Sequence, residues 1–81
     1  VDENYDVVVV TWHDAHAMTD TWTALRDFDV EPCVVRSVGL LIPNAKDGHV
    51  VIAQSHIAEN GDFDSVLAIP MGMVQKLTIC R

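Results

Sequence analysis

Apolar residues along this chain come in short, β-branched runs broken by turn-forming residues, the pattern of strands rather than helices. Residues 5–12, YDVVVVTW, read as a first strand with at least part of both faces covered, because four consecutive valines leave no polar face. Residues 30–43, VEPCVVRSVGLLIP, form a second and longer run. Its Pro32 suits a beginning or an edge, and Gly39 in its middle predicts a bend or bulge. The Asp-Gly step in NAKDG (44–48) predicts a turn into HVVIAQSHI (49–57), so the second and third strands form a hairpin. Asn-Gly within ENGDFD (59–64) makes the next turn, into the short strand SVLAIP (65–70). Pro70 and Gly72 then interrupt pairing, and the chain resumes as a fifth strand from about Met73.

Residues 13–29, HDAHAMTDTWTALRDFD, are left as the one long connection. Thr19 or Asp20 could cap a short helical turn there, with Trp22, Leu25 and Phe28 near one face. Strands this short bury little as an open sheet, whereas closing the sheet makes one shared core and removes exposed edges. The expected fold is therefore mainly β: a small five-stranded bent barrel with a long, partly helical excursion after the first strand. Gly39 supplies the corner such closure requires. Alternation nominates Val35, Leu41, Val51, Ala53, Leu67, Ile69, Val74 and part of Val7 to Val10 as core.

Composition narrows this further. The 81 residues fit a single small domain, 1–81, with room for one modest core. A net charge of −7 with only five Lys and Arg disfavours gripping long nucleic acid, which needs clustered cations to displace counterions. One small anionic ligand stays open, since two or three focused cations hold it regardless of net charge. No apolar run is long enough for a membrane span and no signal peptide opens the chain, so the expectation is a soluble, cytoplasmic protein. Cys33 and Cys80 sit in apolar runs and read as small buried hydrophobes, with a disulfide as the lesser reading.

The segment VLAIPMGMVQKL (66–77), where an Ile-Pro one-turn helix separates the last two strands, resembles the small five-stranded barrels of the SH3-like and Sm-like group. WHDA (12–15), SVGL (37–40) and IP (69–70) are also similar to stretches of small uncharacterised bacteriophage proteins. The first resemblance implies a barrel, often oligomeric. The second implies an accessory protein of a virus infecting bacteria, acting in the host cytoplasm, and implies no particular chemistry.

Candidate chemistry starts in WHDAHAMTDTW (12–22). His13, Asp14, His16 and Asp20 invite a metal, but the two histidines are three apart, no third histidine or thiol is near, and the ligand set is incomplete, so no metal is expected. Ser37, Ser55 and Ser65 lack a nucleophile setting, the cysteines lack a basic partner, and no glycine-rich phosphate loop is present. The expectation is accordingly a non-enzyme without a cofactor. What remains is a conjunction of aromatic and polar groups: Trp12, His13, Asp14, Trp22, Arg26, Arg36, Gln54 and His56, together with Lys46 and Lys76. Aromatic faces stack on flat ligands, and guanidinium groups pair with phosphates. Arg36 interrupts an otherwise apolar strand, so something must answer its charge: a ligand, or Asp14 or another carboxylate. Two functions follow. One is an oligomeric module that binds or sequesters a small anionic ligand, for example a nucleotide immune signal of the bacterial host. The other is a structural or protein-interaction module, such as a virion component or an inhibitor docking on a host protein.

Overall fold

A computed structural model describes residues 5–14, 22, 24, 26 and 33–81. Five antiparallel strands form one sheet: β1 (Val7–Asp14), β2 (Cys33–Leu41), β3 (His49–His56), β4 (Phe63–Pro70) and β5 (Val74–Cys80). Their spatial order is β4-β3-β2-β1-β5, so β1 and β2 are central and β4 and β5 are the edges. A single 3-10 turn, Met71–Met73, links β4 to β5, as the Ile-Pro-Met-Gly-Met sequence suggests. The turn glycines do what the sequence requires of them: Gly48 and Gly61 adopt φ of +69° and +81°, conformations that cost other residues a steric penalty.

Register decides which side chains meet. Val8 and Val10 of β1 lie opposite Gly39 and Ser37 of β2 and opposite Ile79 and Leu77 of β5. These positions face the core, where Val8, Val10, Val50, Ile52 and Ile69 pack together and Trp12, Leu41 and Val74 close over them. Val7, Val9, Thr11 and His13 point to the other face of the sheet, since successive side chains alternate.

The β1–β2 ladder runs through Gly39 without a bulge, and what the glycine permits is a close approach of β3. At Gly39 a Cβ atom would lie 2.8 Å from the Ala53 carbonyl oxygen and 3.2 Å from the Ile52 Cβ, so β3 crosses directly against the β2 backbone. The β2–β3 hairpin is correspondingly brief: Leu40 pairs with Ala53 and Leu41 with Ile52, and Ile42 N–H donates to the Val51 carbonyl at 2.9 Å. The β3–β4 hairpin is long, running from His49↔Pro70 to His56↔Phe63.

Several expectations are corrected. The sheet is not closed into a barrel: β4 and β5 remain at opposite edges, because β2 holds β3 over so short a ladder that the β3–β4 hairpin diverges from the rest. His13 and Asp14 belong to β1 rather than to the connection, because β1 pairs with β2 as far as Asp14↔Cys33. The helix expected within 13–29 falls on residues outside those described, and no α-helix occurs among the described residues. All of Val50, Val51, Ile52 and Ala53 are buried, so Val50 and Ile52 join the expected Val51 and Ala53. Leu67, expected in the core, is 38% exposed because β4 is an open edge.

Both cysteines are exposed rather than buried. They lie opposite the two ends of β1, Cys33 at Asp14 and Cys80 at Val7. Strand rise separates those ends by about 23 Å, far beyond disulfide reach within one chain.

Candidate ligand-binding cleft

β2 serves two ladders unequally. It runs along β1 from Cys33 to Leu40, yet meets β3 only at Leu40 and Leu41. Beyond that contact the two strands part like a fork. In the fork, the β3–β4 ladder passes from Ala53↔Val66 to Ser55↔Asp64 without a Gln54↔Ser65 pair. The result is a cleft of about 230 Å³ lined by Ser37 and Val38 of β2, Ile52, Ala53 and Gln54 of β3, and Ser65 and Leu67 of β4.

The missing pair has a local cause. Ser65 adopts φ of +54° inside a strand, a left-handed conformation unusual for a residue other than glycine. Its N–H donates to the Asp64 Oδ1 at 2.9 Å, which helps hold this turn of the backbone. A left-handed residue costs roughly 1–2 kcal/mol, and strain of this kind gathers at functional sites.

On the β2 side, the Trp12 indole Nε1–H donates to Ser37 Oγ at 3.0 Å across the β1–β2 ladder. Trp12 is half-buried against the core, so its ring fixes the position of Ser37 while the serine keeps its own hydroxyl proton to donate. The cleft therefore offers two hydroxyls and an amide over a floor of Val38, Ile52, Ala53 and Leu67. These described lining side chains are neutral hydrogen-bonding groups and can hold a ligand's polar edge.

Of the residues nominated from sequence, Gln54 lines the cleft and Trp12 supports it. The others are elsewhere. His13 lies on the outer face opposite Val34, and Asp14 ends β1, exposed, opposite Cys33. Arg36 is exposed on the outer face opposite Thr11, one residue from Ser37 but pointing to the other side of the sheet. His56 stacks on Phe63 with ring centroids 4.6 Å apart, and Tyr5 meets both rings edge-on, tying the start of β1 to the β3–β4 hairpin. Trp22 is fully exposed and Arg26 is exposed; neither lines the cleft. His16 and Asp20 lie outside the described residues, among which no group of three or more His, Cys, Asp or Glu comes together.

Comparison with family models, with curated proteins and with solved structures finds no match.

In the sequence Ser37 and Ser65 carry no signal beyond the absence of a nucleophile setting. Their role as cleft walls depends on strand register and on the Ser65 backbone, and no motif announces either. A second hollow of about 410 Å³ lies under the 43–49 turn, with Leu41, Ile42, Val50, Met71 and Leu77 among its walls. Of the nominated residues it contains only Lys46, and the strand ladders beside it are regular. No helix among the described residues is long and apolar enough to cross a membrane.

Proposed function

We propose that this chain is a non-catalytic binding module whose cleft takes the flat, polar part of a small ligand such as a nucleotide. The observation that carries this reading is the interrupted Gln54/Ser65 pairing, which opens a polar-rimmed, apolar-floored cleft inside a continuous sheet. At about 230 Å³ it is smaller than the roughly 300–1,000 Å³ typical of whole-ligand pockets, and suits one ring system with the remainder of the ligand outside. The Gln54 amide presents a donor and an acceptor side by side, the pair that reads the edge of a nucleobase.

The same reading takes the strand order and the Met71–Met73 turn as those of an opened relative of the SH3-like or Sm-like folds, from a bacteriophage. Sequestering a nucleotide signal of the host is then its concrete role. Oligomer formation is part of the proposal. β4 and β5 are open edges, and their core-side residues Leu67, Leu77 and Ile79 are more than a third exposed, so an edge strand of a second copy would cover apolar surface while satisfying backbone groups. Those same edges favour the second reading, a module that docks on another protein by strand addition.

The test is titration of the purified chain with uncharged nucleosides, followed by amide-proton shifts, in the wild type and in Gln54→Ala. Saturable shifts at Gln54, Ser65 and Ser37, lost in the variant, would support the cleft. Absence of any shift across the four common bases would remove it, and native mass spectrometry showing a bare oligomer would then favour protein partners.

A further inference from the structure

The outer face of the sheet carries a row that the cleft does not use. In the β1–β2 ladder Thr11 lies directly opposite Arg36, and in the β1–β5 ladder it lies directly opposite Lys76. Directly paired residues share a face, so Lys76, Thr11 and Arg36 stand in line across three adjacent strands. The register shift after Thr11 places Gln75 as an extra residue in β5, and this keeps Lys76 in the row while Val74 turns to Trp12. Strand spacing puts the two cationic residues about 10 Å apart at the backbone with the threonine hydroxyl midway. Two long, flexible side chains converge readily over that distance.

The charge distribution makes the row stand out. The chain has twelve Asp and Glu against five Lys and Arg. Yet among the described residues no acidic side chain occupies the outer face where β1 pairs with β2 and β5; its other members are valines, Leu40, Thr78, Cys80 and His13. Both cations are exposed, so neither carries the burial cost that would require an internal carboxylate. Val9 and Val38 flank the row on one side and Val34 on the other, which sets the two cations and the Thr11 hydroxyl within a largely apolar surround.

The geometry points to a phosphoryl-binding site formed by Arg36, Lys76 and Thr11. The Arg36 guanidinium supplies a planar two-donor fork for phosphate oxygens, Lys76 supplies a point charge, and Thr11 Oγ–H donates from below. The site also deepens the nucleotide reading, on which this part rests. Val38, a wall of the cleft, is on the same face as Arg36 and two residues along β2, about 7 Å away. A base seated in the cleft would thus leave its phosphate within reach of Arg36.

The two ideas separate experimentally. Inorganic pyrophosphate, titrated calorimetrically at low ionic strength, probes the row alone, an uncharged nucleoside probes the cleft alone, and a nucleoside diphosphate probes both. Wild type should bind pyrophosphate, and Arg36→Ala and Lys76→Ala should each weaken it about tenfold or more, as expected for a lost charge-assisted hydrogen bond. Gln54→Ala should leave pyrophosphate affinity unchanged, and unchanged melting temperatures would show that exposed positions were altered without unfolding. Affinity should also fall with added salt. The proposal is overturned if wild type takes up no pyrophosphate, or if the Arg36→Ala/Lys76→Ala double variant binds it as wild type does. Nucleoside binding that survives in that double variant would leave the cleft standing whatever becomes of the row.

Discussion

Gly39→Ala tests the close β2–β3 approach beside both the core and the cleft. The added methyl would sit 2.8 Å from the Ala53 carbonyl oxygen and 3.2 Å from Ile52 Cβ. The first neighbour is backbone, so the strand itself must move, by about 0.6 Å, to restore ordinary contact near 3.4 Å. Overpacking of this kind costs roughly 1–3 kcal/mol. Alanine also restricts the unfolded chain, which returns roughly 0.4–1 kcal/mol, and the net destabilisation is about 0.5–2 kcal/mol. For 81 residues the unfolding entropy near the transition is roughly 170 cal/mol/K, so each kcal/mol moves the midpoint by about 6 °C. The melting temperature, followed by circular dichroism, should fall by about 3–12 °C. Gly72→Ala is the matched control, since nothing lies within 4 Å of its added methyl and its φ is not positive. It should leave the midpoint unchanged or raise it slightly. If Gly39→Ala melts at or above the wild-type temperature, the close β2–β3 crossing is not how the chain packs, and the argument for the fork fails with it.

The remaining predictions concern the cleft and the thiols. Trp12→Phe and Ser37→Ala should couple by about 0.5–1.5 kcal/mol in a double-mutant cycle of urea unfolding, the net worth of the hydrogen bond between them; additivity would mean that the indole does not position Ser37. Ser65→Gly relieves a left-handed conformation costing roughly 1–2 kcal/mol and gives back roughly 0.5–1 as glycine entropy, so it should raise stability by about 1 kcal/mol or less. A clear loss of stability would contradict the strain assigned to Ser65. Cys33 and Cys80 should both react with a thiol reagent at once in the absence of denaturant, and the oxidised chain should show no internal crosslink by mass spectrometry.

The features that sequence made legible were those written in single residues. Asn-Gly and Asp-Gly marked the positive-φ turns at Gly61 and Gly48, and Ile-Pro marked the one-turn break before β5. What it left dark was register. The run Val50–Ala53 has no alternation to break the symmetry between its faces, and all four residues prove buried. The end of β1 was equally hidden: polarity changes after Trp12, but pairing continues to Asp14 because its partner strand begins at Cys33. Barrel closure was inferred from the cost of open edges, and that cost can be met by a partner's edge as well as by the chain's own.

Register is also why the nominated site broke apart. Arg36 and Ser37 are neighbours in sequence, but a strand sends them to opposite faces, one to the row with Lys76 and the other to the cleft beside Gln54. A ligand that needs both must therefore wrap the free edge of β2, and that edge exists only because β3 leaves after pairing with Leu40 and Leu41. The short hairpin, which prevents the sheet from closing around its core, is thus the same feature that lets one molecule reach both faces. A longer β2–β3 ladder would bury more surface and close the cleft.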